Sequence, residues 1–558
     1  MRHFRSGKLT AAPWFLPGIS LAAMAALVLL LWHPFGRSAL RGDLTLFCAA
    51  GLLKPVQYIA EDYQIEYGIK VRIEPDASGT LLSKLRVAPE RADLFIAGEE
   101  EYVRDARSKK LIAEIFPVAR QHLVIAVQKG NPRGITCPEY LLAAALAIPN
   151  PDTTAAGRVA RRILTDIPVR NPIPELGSPL EFSGPGSPRE PDPENLDGRY
   201  IWDRLWSRLH DGRSRMSLSG TVTEAAQRVQ IGAADAALVW DATARQFGLD
   251  VVEVPLFQEK GVEQATLGVS AATPQPTAAL HFARYLTARD RGERVFAKDF
   301  FQPLDDADVW EDRPALTLMS GAMLKPAIDD LLKRFKQREG VDINTIYAGC
   351  GIHVAQMKAM KGGQITSSHF PDAYFSCDVS FMSKVQQWFE TSVKISRNDI
   401  VLAVRRGNPH KVRSVEDLTR PELRIGLCHP INSALGALCD DLLKKLKLRD
   451  RVYAADRPRP IPNPSAGHEL VNEMRAGALD LIMVYRSNVL SSEKGTANDL
   501  EIVELNLPEA IAIQPFAVAK DSQHKYLMRR LLAAVLSPET QRRFAEVGFT
   551  WIAEETSP

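Results

Sequence analysis

The chain is poor in the residue patterns that carry catalysis. Its six cysteines (Cys48, Cys137, Cys350, Cys377, Cys428 and Cys439) include no C-x-x-C pair, so a zinc or thioredoxin-type site has no support. No G-x-x-x-x-G-K-[ST], H-E-x-x-H, G-x-S-x-G or G-x-G-x-x-G occurs, which removes the common phosphate-loop, zinc-protease, hydrolase and dinucleotide signatures. The eleven histidines do not cluster at metal-ligand spacing. Asp192, Glu194 and Asp197 precede Gly198 but miss the calcium-loop spacing by one, and read as part of a solvated Pro-rich loop. No cofactor is expected. Charge of one sign is lacking too: the formal net charge is +2, whereas a dedicated nucleic-acid binder carries a strong basic excess. With 45% apolar and 24% charged residues, the composition is that of an ordinary globular protein.

What is present is a repetition. Leu44-Thr45-Leu46 opens a segment that runs through Lys54-Pro55, Tyr67-Gly68-Ile69 and Ser78-Gly79 to Asp93-Leu94-Phe95. Leu316-Thr317-Leu318 opens another, through Lys325-Pro326, Glu339-Gly340-Val341 and Cys350-Gly351 to Asp372-Ala373-Tyr374. Ala126 to Pro132 (AVQKGNP) is answered by Ala403 to Pro409 (AVRRGNP), and Ala237-Leu238-Val239-Trp240 by Ile482-Met483-Val484-Tyr485. Order and spacing are nearly kept, so one large unit is duplicated in tandem. The period is the length of a whole domain, not of a solenoid repeat. The expected division is 1–42, 43–308 and 309–558. No cysteine is matched between the copies, which excludes a shared disulfide framework. In an oxidising compartment one or two bridges fit the count without an assignable pairing; most of the six read as small buried side chains.

The first segment reads as a membrane element. Arg2, Arg5 and Lys8 precede an uncharged stretch from Leu9 to Trp32, and no acidic residue appears before Asp43. A basic flank before the apolar run Leu21–Leu31 is an export signal or a membrane anchor. Ser38-Ala39-Leu40 is a poor cleavage site, which favours an uncleaved transmembrane helix with both copies outside.

Within each copy, strand-like and helical patterns alternate. Leu44–Phe47, Lys70–Ile73 and Asp93–Ile96 read as strands, and Val56–Tyr67 and Ser78–Arg86 as helices; the second copy repeats the series. The alternation predicts an α/β architecture with largely parallel sheets. A Pro/Gly-rich insertion at about 166–211 has no equal in the second copy; it ends with Ile201, Trp202, Leu205, Trp206 and Leu209 at helical spacing, a short amphipathic helix expected to pack on its own domain. The linker, Asp305 to Pro314, is short and acidic.

Small and hydroxyl residues recur at the strand-to-helix junctions. The first copy has Ala50-Gly51, Ser78-Gly79-Thr80, Thr154-Ala155 and Thr221-Val222-Thr223; the second has Met323, Cys350-Gly351, Ser433-Ala434 and Gly467. Helix N-termini offer unpaired N–H groups and partial positive charge. Several converging in a cleft make an anion site without lysine or arginine. Taken singly, each junction also reads as an ordinary cap or tight turn.

Leu46–Leu52, Tyr67–Val71, Ala77–Leu81, Ala92–Gly98, Lys129–Pro132 and Asp235–Ala242, with Ile482–Asn488 of the second copy, resemble the periplasmic molybdate-binding proteins of ABC transporters and their wider group of extracellular solute-binding relatives. The resemblance covers nearly all of both copies. It implies two tandem type II periplasmic-binding-protein units, each with two α/β lobes joined by a hinge, one lobe made from the start and end of the copy and the other from its middle. It further implies a tetrahedral oxyanion held by a serine after the first strand, a serine at the second junction, backbone amides of the other lobe, and a tyrosine. The first copy departs from this: Gly51 stands for the first serine, Ser78 keeps the second, and Trp240 replaces the tyrosine. The second departs further, with Met323 and Cys350 at the serine positions and Tyr485 kept. Trp240 and Tyr485 also read as core aromatics ending a buried strand.

These observations lead to an extracytoplasmic protein that captures a small anionic solute, with an ABC permease or a membrane sensor as partner and no chemistry of its own. The rival reading is a degenerate docking receptor that has lost its ligand. An enzyme has least support; Cys350, at a helix N-terminus, would be its nucleophile.

Overall fold

The computed structural model describes residues 42–169, 200–210, 215–364, 369–454, 459–490 and 499–553. The expected membrane segment and most of the Pro/Gly-rich insertion lie outside them. In the first copy the strands are β1 (Leu44–Ala49), β2 (Val71–Asp76), β3 (Leu94–Ala97), β4 (Ile112–Val127), β5 (Leu146–Pro149), β6 (Met216–Ser219), β7 (Ala236–Trp240), β8 (Asp250–Val252) and β9 (Val262–Ser270). They pair in the order β2-β1-β3-β9-β4-β7-β5-β6, with β8 on β4. The second copy has β10 (Ala315–Gly321), β11 (Asp342–Ala348), β12 (Ala373–Phe375), β13 (Val393–Arg405), β14 (Ile425–Gly426), β15 (Leu481–Tyr485), β16 (Leu500–Val503), β17 (Ile511–Val518) and β18 (Thr550–Trp551). Its order is β11-β10-β12-β17-β13-β15-β14, with β16 and β18 also on β13.

The sheets are mixed, which corrects the expectation of largely parallel ones. β1 runs parallel to β2 and β3, and β5 to β6 and β7. The returning strands β4 and β9 are antiparallel to each other and to their other neighbours. The reason is topological. β4 pairs with β9 as far as His122 and from Leu123 onward with β7, so one long strand belongs to two lobes. Alternation of apolar and polar residues cannot reveal such a switch of partner. β13 does the same: Asp399 is its last residue against β17 and Ile400 its first against β15.

The copies share hydrogen bonds as well as topology. Asp93 accepts from the Thr45 amide (2.9 Å) and Asp372 from the Thr317 amide (2.8 Å), tying the third strand to the first. The repeated Gly-Asn-Pro is a turn device. Gly130 and Asn131, like Gly407 and Asn408, have positive φ, a conformation in which glycine and asparagine carry the least strain. Each asparagine side chain then closes the loop by bonding both backbone groups of one residue, Ile135 or Val412. Among the described residues one strand, β6, has no counterpart in the second copy. Where β6 flanks β5, the second copy runs Pro460–Pro464 beside β14; Pro462 and Pro464 carbonyls accept from Leu427 (3.4 Å) and His429 (2.9 Å), but proline has no N–H to return.

The amphipathic helix Ile201–His210 packs at home. Ile201, Trp202 and Leu205 are buried in the core of the first copy's second lobe with Leu141, Ile163 and Val229.

The two copies meet through their first lobes. Helix Pro276–Thr287 lies against helix Lys325–Glu339. Glu339, 2% exposed, binds Arg530 (2.8 Å) and Arg284. Burial alone would raise its carboxyl, but Arg530 and Arg284 hold it below the ordinary value. The acidic linker has a task here: Asp308 accepts the first-turn amides of Tyr526 (2.8 Å) and Leu527 (3.0 Å), and Asp306 pairs with Lys525 (2.7 Å) and Arg529 (3.0 Å). Trp310 packs edge-on against Tyr67, Tyr285 and His281.

Candidate functional site

In the first copy three junctions of one lobe face three elements of the other. β1 ends in the turn Ala50–Leu52, which brings up half-buried Ala50 and buried Gly51. β2 leads into helix Ser78–Val87, whose first turn carries Ser78, Gly79 and half-buried Thr80. β3 ends at Gly98. Opposite stand the starts of helices Ala155–Leu164 and Val222–Gln230, and Trp240 at the end of β7.

The lobes are in contact. The Gly79 amide donates to the Thr153 carbonyl at 2.8 Å, and a Cβ on Gly79 would come within 2.8 Å of that oxygen. A Cβ on Gly51 would lie 2.9 Å from Val222 and 3.3 Å from Thr243 Oγ1; one on Gly98 would lie 3.5 Å from both Ala155 and Trp240 Nε1. A side chain at Gly79 would meet backbone of the other lobe and one at Gly51 the Val222 side chain, whereas a Cβ at Gly98 is in ordinary contact. Ser78 is 3% exposed, and its Oγ accepts from the Gly98 amide at 3.2 Å, which leaves the hydroxyl proton to donate.

The threonines divide by role. Thr154 caps its helix: Oγ1 accepts from the Gly157 amide (3.0 Å) and donates to the Asn150 carbonyl (2.7 Å). Thr221 caps the other, accepting from Glu224 (3.1 Å), with Thr223 Oγ1 at 3.0 Å. The bonds of these hydroxyls lie within their own helix starts. What the ends present is backbone: the amides of Ala155, Ala156, Val222 and Thr223 have no helical acceptor. Trp240, 2% exposed, touches both the core and the junctions of the first lobe.

Sequence reading missed four residues here. Gly98 and Gln121 form one unit, since Gln121 Nε2 donates to the Gly98 carbonyl at 2.7 Å. Gln121 Oε1 and Thr243 Oγ1 are buried with no hydrogen-bond partner among the described residues. Glu99 follows Gly98 and reaches across to Arg158 of the other lobe at 2.8 Å; the Arg158 guanidinium also lies over the Tyr102 ring at 4.2 Å. Burial pushes the Glu99 carboxyl up to about 7 despite Arg158. A buried glutamine at the end of an apolar run and an acid after the third junction were the available signals; their partners are distant in sequence.

The second copy keeps the geometry and changes its contents. Met323 occupies the place of Gly51 and is buried in the core cluster that also holds Cys350, Cys377, Leu435 and Tyr485. Cys350 stands where Ser78 does, and Cys350 Sγ accepts from the Cys377 amide at 3.1 Å as Ser78 Oγ does from Gly98. Gln514 Nε2 donates to the Cys377 carbonyl at 3.1 Å, the counterpart of Gln121 and Gly98. A Cβ on Gly351 would strike the Ile431 carbonyl at 1.9 Å. Ser433 caps the helix begun by Ala434, accepting from Gly436 at 3.4 Å. Gly467 abuts Asn488. Tyr485 is 2% exposed, and its hydroxyl has no partner among the described residues.

Paired α/β lobes, a strand shared between them and facing helix N-termini define a two-lobed ligand-binding protein of the periplasmic type. A model of the bacterial extracellular solute-binding protein family matches residues 44–302 and again 316–550. The chain belongs to this family, one of solute-binding proteins rather than enzymes, and contains its unit twice. The molybdate-binding protein ModA of Mycobacterium tuberculosis is 23% identical over 242 residues, which cover 42% of this chain and 84% of that protein. A sulfate-binding protein of Synechococcus elongatus is 25% identical over 265 residues, covering 42% and 72%. Among solved structures, the periplasmic molybdate-binding protein of Azotobacter vinelandii is similar at 15% identity and a TM-score of 0.36, covering 47% of this chain and all of that one. The sulfate-binding protein SubI of Mycobacterium tuberculosis gives 18% and 0.36, covering 42% and 86%. No helix among the described residues is long and apolar enough to cross a membrane.

Proposed function

We propose that the first copy captures a small tetrahedral oxyanion of the molybdate, tungstate or sulfate kind for an ABC-type importer. One observation carries the reading. The first lobe's junctions at Gly51, Gly79 and Gly98, the last bonded to Ser78, lie against the helix starts of the second lobe at Val222, Thr153 and Ala155, among small residues. In this reading Ser78 donates its free proton, and the amides of Gly51, Thr80, Ala155, Ala156 and Val222 complete the shell. Trp240 Nε1 and the unpartnered Thr243 hydroxyl are the side-chain donors of the second lobe. Thr154, Thr221 and Thr223 act through the helix ends they cap or flank. Opening turns on β4 at His122–Leu123, where the strand changes partner, and Glu99–Arg158 latches the closed form.

The second copy does not take such an anion. Met323, Cys350 and Cys377 fill the volume that Gly51, Ser78 and Gly98 leave, so this copy serves as a docking body against the first copy or against a membrane partner, a permease or a sensor. The basic N-terminus with Leu21–Leu31 anchors the chain, with both copies on the outer side.

The test is thermal unfolding of the full chain with molybdate, tungstate, sulfate, phosphate and small carboxylates. A ligand that saturates the folded state raises the melting temperature by mass action. Stabilisation by a tetrahedral oxyanion, reduced in Ser78→Ala, is the expected result. No shift with any oxyanion, or a shift with carboxylates alone, overturns the reading.

A further inference from the structure

We propose that Cys350 and Cys377 form a disulfide that seals the ligand position of the second copy. The proposal rests on the pair's geometry and the family's extracellular setting, and is independent of which anion the first copy takes.

The two sulfurs lie 2.7 Å apart, inside the contact distance of unbonded sulfur atoms, a separation that only bond formation or withdrawal relieves. No other pair of cysteine sulfurs is in such contact among the described residues. The first copy shows what had to change to allow it. Ser78 is replaced by Cys350 and Gly98 by Cys377, at junctions already joined by an amide hydrogen bond in both copies. A third position changes with them. Ala49 of the first copy corresponds to Gly321, where a Cβ would lie 2.2 Å from Cys377 Sγ and 3.3 Å from Cys350 Sγ. The glycine thus makes the space that the two sulfurs use. One cysteine alone would be a conservative replacement of a serine; two facing each other, over a glycine, form a built site.

The surroundings also suit thiol chemistry. Cys350 begins helix Cys350–Lys361. Burial opposes its ionisation, yet bonds from Cys377, Tyr374 and Ser376 hold its thiol below the ordinary value, while the bond to Cys350 and burial raise Cys377. Cys350, the first residue of its helix, is taken as the attacking thiolate. With a disulfide oxidant such as oxidised glutathione, Cys350 displaces one glutathione thiolate to form a mixed disulfide. Cys377, deprotonated, then attacks the Cys350 sulfur and expels the second glutathione thiolate. Two electrons pass to the oxidant, and the two cysteine protons end on the two glutathiones. Both cysteines are buried, at 0% and 6% exposure, so the exchange takes place during folding after export or when the lobes part. Extracellular proteins retain such bridges.

The experiment is peptide mapping of the full chain, exported and purified without reductant, then denatured and alkylated before digestion. A parallel sample is refolded with oxidised glutathione. Trypsin cuts at Lys358 and Lys361, between the two cysteines. The expected result is one linked pair of peptides carrying Cys350 and Cys377, two hydrogen atoms lighter than their sum and separated by reduction, with the other four cysteines alkylated. In Cys377→Ser, Cys350 should be captured as a glutathione adduct. Alkylation of both Cys350 and Cys377 in both preparations, or a link from either to Cys428 or Cys439, overturns the proposal.

Discussion

The two copies agree where the chain must fold and differ where it would bind. Asp93 and Asp372 hold the same strand pair, Asn131 and Asn408 close the same turn, and Gln121 and Gln514 support the same carbonyl from different strands. At the facing junctions, by contrast, Gly51 becomes Met323, Ser78 becomes Cys350 and Gly98 becomes Cys377. The inter-lobe latch differs as well. Glu99 spans the cleft to Arg158, whereas Asp378 stays within its own lobe, accepting from the Ser380 and Ile513 amides, and Ala437 stands at the place of Arg158. Buried hydrogen-bonded groups are expensive to lose, so the scaffold is the same in two copies whose junction residues differ.

This contrast can be broken or sharpened by substitution. The largest effect is expected from placing the second copy's residue in the first: Gly51→Met puts a long side chain where even a Cβ lies 2.9 Å from Val222. Oxyanion affinity measured by calorimetry should fall by more than about a hundredfold, with the melting temperature of the unliganded chain little changed. Ser78→Ala removes one hydrogen bond to a charged ligand, about 1.5–3 kcal/mol or roughly 10–100-fold in affinity; Cys350→Ala, its counterpart, should leave affinity unchanged. Arg158→Ala, assayed at pH 8, strips Glu99 of its partner and should weaken binding roughly tenfold, between the limits for exposed and buried pairs.

The latch also gives a pH dependence of several-fold. Glu99 titrates at about 7 in the closed form against an ordinary 4.5, so closure takes up a proton. This proton-linked preference for the closed form is fully present below about 4.5 and lost as pH rises through about 7, where Glu99 ionises and Arg158 offsets part of its burial. Sulfate, dianionic throughout, should bind more tightly at pH 5 than at pH 8, and Glu99→Gln should flatten the slope. The smallest contrast is in the caps. Thr154→Ala and Ser433→Ala should each cost about 1 kcal/mol of stability in denaturant unfolding, and Thr154→Ala should change affinity less than Ser78→Ala does.

Much of this was legible in the sequence because repetition and periodicity are local signals. The strand beginning at Leu44, the helix ending at Tyr67 and the junction at Ser78 are each readable from a short window. The amphipathic helix at Ile201 was readable for the same reason. What escaped reading depends on partners far apart in the chain. The change of partner along β4 made the sheets mixed. Thr154 reads in sequence as either a cap or part of an anion site, which share the same residue types; its bonds to Asn150 and Gly157 show the cap. Thr243 and Glu99 gained meaning only from Gly51 and Arg158 on the opposite lobe.

The most direct test of the account is the stoichiometry of oxyanion binding to the full chain, measured by calorimetric titration at known active concentration. The account predicts one site per chain, weakened roughly 10–100-fold by Ser78→Ala and untouched by Cys350→Ala. Two sites per chain, or one whose affinity is unchanged in Ser78→Ala and falls in Cys350→Ala, would contradict it.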